Sequence, residues 1–187
     1  SSRSGGVFAS IGAGISYVSH KKILSELMII VLIVATLVPN YNVTISALVK
    51  LSLDADERSF GYLMSALGVG AFCGALFVAI FDKLGIRKIR SCAIAMGVSL
   101  ALTGAANSFA WAAVGLAVTG FLFVITNSSI NSTVQMHVSN EFRGRVLSLY
   151  ALFLIGSTPF GALISGFFTE LLGARVALVI CGAISIL

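Results

Sequence analysis

Charged side chains are scarce in this chain of 187 residues, where only 10% of positions carry Asp, Glu, Lys or Arg. A soluble domain carries about 25%, so the shortage excludes an ordinary water-soluble domain. Hydrophobic residues instead make up 58% of the chain, and the mean hydropathy is +1.04. Stretches without charge are long enough to cross a bilayer core of about 30 Å, and they lie at 27–49, 59–81, 91–140 and 146–169. The sequence therefore predicts an integral membrane protein.

Groups that ligate metals or catalyse reactions are also few. The three cysteines, Cys73, Cys92 and Cys181, lie singly in apolar stretches without metal-ligand spacing. We expect them to be small buried hydrophobes. No cluster of His, Cys and carboxylates is predicted at one depth of the membrane. The sequence thus indicates neither an enzyme nor a bound metal or cofactor.

The net charge of +5 does not come from a continuous basic patch in the sequence. The basic residues stand in short runs between apolar stretches, which is typical of loops that face an anionic cytoplasmic leaflet. The pattern argues against a nucleic-acid partner and in favour of membrane lipid.

The apolar pattern predicts six membrane spans in residues 23–187. Their expected bounds are 23–49, 59–81, 89–106, 109–134, 146–172 and 175 to the end of the sequence, where the last helix is expected to be incomplete. Residues 1–22, rich in Ser and Gly with a weakly amphipathic tail, are predicted to form a cytoplasmic connecting loop. Pro159 and Gly161 indicate a bend in the fifth span, and Trp111 and Tyr150 are expected in aromatic belts at opposite interfaces.

Lysine and arginine placement gives the orientation of these spans. Nine of the twelve basic residues fall at one set of span ends and three at the other. The nine are Arg3, Lys21, Lys22, Lys83, Arg87, Lys88, Arg90, Arg143 and Arg145. The basic set is predicted to be cytoplasmic, and an alternation of this kind fits six spans.

An internal repeat is predicted with a period of 87 residues. The triplet Gly74-Ala75-Leu76 recurs as Gly161-Ala162-Leu163, and Asn40 falls on Asn127. Three spans followed by three similar spans have opposite topology, as in the inverted repeats of secondary transporters. Within the second span Ala66, Gly70 and Gly74 stand four apart, which allows a neighbouring backbone to approach closely.

Polar residues collect in the first and fourth spans. Asn127, Asn131 and Gln135 stand at i, i+4 and i+8, so they share one helix face. The first span carries Pro39, after which the helix is expected to kink. We predict that amides on these two equivalent helices line a central cavity and bind a solute. The predicted solute-binding residues are Asn40, Tyr41, Asn42, Thr44, Asn127, Asn131 and Gln135.

The alternative for these polar groups is hydrogen bonding between neighbouring helices, and for any single Ser or Thr that alternative is favoured. Charge within the spans is almost absent. Glu26 lies within about a turn of the interface and is expected to be a snorkelling or salt-bridged boundary group. His137, at the cytoplasmic end of the fourth span, is expected to be a loop residue rather than a proton relay. This part of the chain therefore offers no proton-coupling carboxylate.

Asp82-Lys83-Leu84-Gly85-Ile86-Arg87-Lys88, between the second and third spans, resembles the loop signature of the major facilitator superfamily in its second-half copy. Residues 135–150, from Gln135 through Glu141-Phe142-Arg143-Gly144-Arg145 to Tyr150, are similar to the stretch before the eleventh helix in the enterobactin-exporter-like branch. That branch contains siderophore and multidrug exporters. The similarity begins near residue 14 and implies that the spans are helices seven to twelve of twelve.

The resemblance implies a charge-relay latch that holds the cytoplasmic side closed in one state. The gating residues it implies are Asp82, Lys83, Gly85, Arg87, Glu141, Arg143 and Arg145.

The fold that the resemblance implies is an all-α six-helix bundle of two inverted three-helix repeats, half of a twelve-helix protein whose amino-terminal half is the partner. Its implied activity is secondary active export of a small siderophore or drug-like molecule by alternating access. Export would be proton-driven, in a bacterial inner membrane. The alternative is a non-transporting receptor or scaffold on the same fold.

Overall fold

The computed structural model describes residues 7–37, 45–46, 57–81 and 84–185, and the regular structure in these ranges is helical. The longer helices are α1 (Val7–Ser19), α2 (Lys22–Leu37), α3 (Glu57–Ile80), α4 (Ile86–Gly104), α5 (Phe109–His137), α6 (Arg143–Gly156), α7 (Thr158–Leu172) and α8 (Ala174–Ile184). The helical structure of these ranges agrees with the all-α part of the predicted fold class, and the six-helix bundle of inverted repeats stays a prediction.

Three helical runs in the described ranges are long and apolar enough to cross a membrane. They are Arg58–Ile80 with a mean hydropathy of 2.2, Phe109–His137 with 2.1, and Arg143–Leu172 with 1.7. At a rise of about 1.5 Å per residue, even the shortest spans more than 30 Å. The prediction of a multi-pass membrane protein is confirmed.

The remaining predicted spans correspond to shorter helices. Helix α2 has 16 described residues, and much of the span predicted at 23–49 lies outside the described ranges. Helix α4 has 19 residues, but it begins three residues before the predicted start and includes Arg87, Lys88 and Arg90. Helix α8 is apolar and has 11 residues. The six-span count therefore stays a prediction.

Residues 1–22 were expected to form a connecting loop, but Val7–Ser19 is helical. Gly14 and Val18 are four residues apart, so they lie on the same face of α1. This face packs on α6, and the packing stabilises the helix. Val18 is buried in one cluster with Val146 and Leu149. The expectation of a loop is corrected for these 13 residues, and their cytoplasmic position stays a prediction.

The bend predicted at Pro159 and Gly161 falls close to the junction at which α6 ends and α7 begins. Pro159 stands in the first turn of α7, where its missing N–H costs no helical hydrogen bond. The Ser157 hydroxyl donates to the Phe153 carbonyl oxygen at 2.6 Å and closes the last turn of α6. The two helices follow each other directly from Arg143 to Leu172.

Small residues set the closest helix contacts. Gly70 and Gly74 of α3 lie against Ala117 and Phe121 of α5, and Gly182 of α8 lies against α4. Without a Cβ, the backbones approach far enough for van der Waals contact, which drives helix association in lipid. The close approach predicted for Gly70 and Gly74 is confirmed.

Hydroxyl groups join α4 to α5 through hydrogen bonds. The Ser99 hydroxyl donates to the Gly115 carbonyl oxygen at 2.8 Å, and the Thr119 hydroxyl donates to Ser99 Oγ at 3.2 Å. Both residues are buried. For these hydroxyls the interhelical alternative is correct.

Candidate solute-binding site

The amide stripe of α5 lines an open cavity beside α6. Asn127, Asn131 and Gln135 are half-buried and lie on one face over about 12 Å of helix. The cavity has a volume of about 550 Å³.

 A second cavity, of about 740 Å³, lies between α2, α4 and α8. The cavity beside α6 is lined by Asn127, Ser128, Asn131, Ser132, Gln135, Met136, Arg143, Tyr150 and Leu154.

A directional chain of hydrogen bonds runs along this cavity. Arg143 Nη2 donates to Gln135 Oε1 at 2.8 Å, and Gln135 Nε2 donates to Asn131 Oδ1 at 2.5 Å. The Tyr150 hydroxyl interacts with Asn131 and donates to Asn127 Oδ1 at 2.8 Å. Each of the three amide oxygens therefore accepts a hydrogen bond from a neighbouring side chain.

The guanidinium group of Arg143 fixes the direction of this chain. A guanidinium has N–H donors and no acceptor, so the atom of Gln135 that faces it must be the amide oxygen. The amide nitrogen of Gln135 then points to Asn131 and requires an oxygen there. The orientation of both amides therefore follows from this one charged partner.

Tyr150 lines the cavity although the sequence did not predict it as a solute-binding residue. It was expected in an aromatic belt, but only 6% of its surface is exposed and its hydroxyl bonds to Asn127. The belt expectation is wrong for Tyr150, because the ring packs in the core with Val146 and Leu149. Trp111, 71% exposed, has the exposure that a belt position requires.

Several predicted site residues lie outside the described ranges, so the structure does not place them. These are Asn40, Tyr41, Asn42 and Thr44 of the solute set and Asp82 and Lys83 of the gating set. The solute-binding residues that the structure brings together are those of α5.

The described gating residues lie at the starts of α4 and α6. Gly85 precedes α4 with a φ of −67°, a backbone conformation open to any residue. Arg87 and Glu141 are exposed, and the Arg145 guanidinium lies 5.3 Å from the centre of the Phe142 ring. Within the described ranges Glu141 forms no ion pair with Arg87, Arg143 or Arg145. Arg143 instead lines the cavity.

The larger cavity, between α2, α4 and α8, contains the ion pair of Glu26 and Arg90. The expectation that Glu26 is salt-bridged is confirmed. Its carboxylate is already paired, and isoleucine and valine side chains form much of the wall. None of the predicted solute-binding residues that the structure describes lines this cavity, so we place the candidate site beside α6.

The cysteines differ in their surroundings. Cys181 is buried as expected, Cys92 is half-buried, and Cys73 is exposed on α3. The expectation of burial is wrong for Cys73, because the face of α3 that packs on α5 is the one that carries Gly70 and Gly74. No group of three His, Cys, Asp or Glu side chains comes together in the ranges that the structure describes.

A second polar cluster attaches α1 to the connection between α5 and α6. Lys21 Nζ donates to the Tyr17 hydroxyl at 2.7 Å and to the His137 carbonyl oxygen at 3.3 Å. The Ser139 backbone N–H donates to the same hydroxyl at 3.1 Å. The Tyr17 ring stacks on Phe142 with centroids 4.5 Å apart. The Lys21 hydrogen bond, followed by those of Ser139, lowers the pKa of Tyr17 from 10.0 to about 8.

We expect this shift to appear as a tyrosine ionisation near pH 8 in the near-ultraviolet absorbance of the folded protein. Because the folded-state pKa lies below the ordinary value, ionised Tyr17 favours the folded state. That contribution is complete above pH 10 and is lost as the pH falls through 8. Tyr17→Phe should remove the ionisation, and Lys21→Met should move it towards 10. Lys22→Met is the matched control, and an unchanged titration in Lys21→Met would contradict the assignment.

Comparison with known proteins identifies the family. A model of the major facilitator type, described as a transmembrane secretion effector, matches residues 3–187. No curated protein and no solved structure matches the chain. The match covers nearly every residue, including the cavity, α1 and the connection between them. The chain therefore belongs to the transmembrane secretion effector family of major facilitator transporters.

Proposed function

We propose that this chain is the carboxy-terminal half of a secondary active exporter that moves a small solute by alternating access. The observation that carries the proposal is the hydrogen-bonded chain from Arg143 to Asn127 along an open cavity of 550 Å³. Cavities of about 300–1,000 Å³ accept drug-sized molecules. A scaffold has no need for an ordered polar wall in such a cavity.

Helix packing supports the proposed inverted repeats. Helix α3 packs on α5, while α6 and α7 pack on α2, and α4 packs on α8. If α2–α4 and α5–α8 are two equivalent units, α2 corresponds to α5, α3 corresponds to α6 and α7 together, and α4 corresponds to α8. The contact of α3 with α5 is then equivalent to the contact of α6 and α7 with α2. The contact of α4 with α8 joins two corresponding helices. This pattern is the one expected for an approximate two-fold axis between the units. The described part of α2 would then be helix seven and α5 helix ten.

The gating proposal rests on the resemblance of two cytoplasmic loops to the family signature. Arg87, Glu141 and Arg145 are exposed at the starts of α4 and α6. Exposed charges without fixed partners can exchange partners between two states at small cost. We propose that they form the latch together with Asp82 and Lys83, and that Arg143 also contributes to it from the cavity.

Proton coupling and a bacterial inner membrane are proposed from the enterobactin-exporter-like resemblance. Two carboxylates of the described spans lie beside cavities: Glu26, which is paired with Arg90, and Glu170, which is exposed near the end of α7. The Glu26 carboxylate is already engaged by the guanidinium of Arg90, and Glu170 lies on an exposed face near a helix end. We therefore assign proton coupling to the amino-terminal half.

The test of the exporter proposal is the accumulation of a labelled solute panel in cells that express the intact transporter with both halves. Siderophores and drug-like molecules belong in the panel. We expect the transporter to lower accumulation and a protonophore to restore it. Asn127→Ala/Asn131→Ala should reduce export roughly ten-fold, since each lost amide removes about 0.5–1.5 kcal/mol of hydrogen bonding.

The matched control is Asn140→Ala, because Asn140 is an exposed asparagine outside the cavity. Its export should equal that of the unchanged protein. If the folded, membrane-inserted transporter alters the accumulation of no solute, the scaffold alternative replaces export. If export persists in the double variant, the amides are interhelical hydrogen-bonding groups and the cavity is not the site.

A further inference from the structure

We infer that the cavity beside α6 selects solutes that carry an anionic oxygen group, such as a carboxylate, and that Arg143 is the residue that recognises it. The inference rests on the proposed function and names the substrate class of the same site. It follows from the direction of the hydrogen-bonded chain and from the charge of the cavity wall.

The direction of the chain leaves donors for a solute. The oxygens of Asn127, Asn131 and Gln135 already accept hydrogen bonds from Tyr150, Gln135 and Arg143. The guanidinium of Arg143 has five N–H donors, and the described contacts use one of its nitrogen atoms. A solute with acceptor oxygens therefore finds charged N–H donors on Arg143 that no described contact uses.

The charge on the described wall of the cavity beside α6 is positive. Arg143 is the charged residue among those that line the cavity, and no carboxylate lines it within the described ranges. Glu141, the nearest acidic residue in sequence, is exposed and does not reach the lining. A cationic solute would meet the guanidinium without a counter-charge, whereas an anionic oxygen pairs with it.

The position of Arg143 strengthens the same preference. It is the first residue of the 14-residue helix α6, whose amino-terminal end carries a partial positive charge. Gln135 accepts from one nitrogen of the guanidinium and holds it at the cavity wall. A guanidinium that is already oriented loses less rotamer entropy when a carboxylate binds.

The remaining walls suit the body of such a solute. Leu154 and Met136 supply apolar surface beside the polar stripe. The stripe extends about 12 Å from Gln135 to Asn127, so a bound molecule can reach the Asn127 amide while its anionic group stays on Arg143. The geometry favours an elongated amphipathic anion over a compact ion.

The test compares a fluorescent aryl carboxylate with its primary amide, a pair that differs in charge and little in shape. Binding is measured by equilibrium dialysis on the intact transporter in nanodiscs, and export is measured in cells. We expect Arg143→Gln to weaken carboxylate binding about ten- to a hundred-fold, as expected for a charge-assisted hydrogen bond. Binding of the amide should change less than about two-fold, and Arg143→Lys should restore part of the carboxylate affinity.

The control variant is Arg58→Gln, which removes an exposed arginine from the start of α3. A purely gating role for Arg143 would lower the transport rate of the acid and the amide equally and leave both dissociation constants unchanged. That result, or equal loss of binding for both probes, would overturn the inference. If the carboxylate binds selectively but neither probe is exported, the inference stands and the exporter proposal fails.

Discussion

Replacing Gly70 with valine is expected to destabilise the protein by about 3 kcal/mol, at the upper end of the cost of overpacking a core. A Cβ at this position would lie within 2.8 Å of three backbone atoms of Ala117. Backbone atoms cannot rotate away as a side chain does, so α3 and α5 must separate. Because the two helices also meet at Gly74 and Gly120, separation at Gly70 disturbs the whole contact.

The measurement is the loss of the monodisperse peak after heating in detergent, followed by size-exclusion chromatography. Gly68→Val is the matched control, since an added Cβ at Gly68 has no atom within 4 Å. The same residue type, two positions away on the same helix, should leave the unfolding temperature nearly unchanged. If the unfolding temperature fell equally in Gly70→Val and Gly68→Val, helix propensity, rather than the contact of α3 with α5, would determine the effect.

Replacing Tyr150 with alanine is expected to cost about 3 kcal/mol, because it removes a ring from the core cluster that joins α5 to α6. Replacing it with phenylalanine keeps the ring and removes only the hydroxyl. Hydrogen bonds inside membrane proteins contribute roughly 0.6 kcal/mol on average. Tyr150→Phe should therefore retain nearly full stability.

The two variants separate packing from solute recognition. Tyr150→Phe leaves the Asn127 amide without the donor that orients its oxygen, so we expect export to fall several-fold in a folded protein. Tyr150→Ala should lose both export and stability. Should Tyr150→Phe unfold as readily as Tyr150→Ala, the hydroxyl is a structural group and its place in the solute site is refuted.

Much of the helical framework could be predicted from apolar length alone. Helix α5 was predicted at 109–134 and is observed at Phe109–His137. The three additional residues follow because no proline or glycine stops the helix before the capping Val138. The polar stripe was also predictable, since a spacing of four places Asn127, Asn131 and Gln135 on one face.

The partners of that stripe could not be predicted in the same way. Tyr150 lies 23 positions from Asn127, and a sequence pattern on one helix does not give the rotation of the next. Its aromatic ring and hydroxyl suit a membrane interface as well as a buried hydrogen bond. Arg143 was assigned to the gate from its loop position, although its long side chain reaches Gln135 on the neighbouring helix.

Helix α1 was missed for a related reason. Its Ser- and Gly-rich sequence has weak helix propensity, and the contacts that stabilise it come from elsewhere in the chain. Tyr17 stacks on Phe142, and Gly14 lies against the backbone of Arg145. Tertiary packing of this kind can determine a helix whose own sequence predicts a loop.

The attachment of α1 has a mechanical consequence for the transport cycle. Tyr17 and Lys21 bond to Ser139 and to the carbonyl of His137, on the segment that leads directly into Arg143. A rigid-body displacement of that segment would carry the end of α1 with it, or else break these hydrogen bonds. The boundary between α1 and α2, at residues 20–21, would then absorb the rotation. A movement of the candidate solute site would then be accompanied by a rotation of the chain at the boundary between α1 and α2.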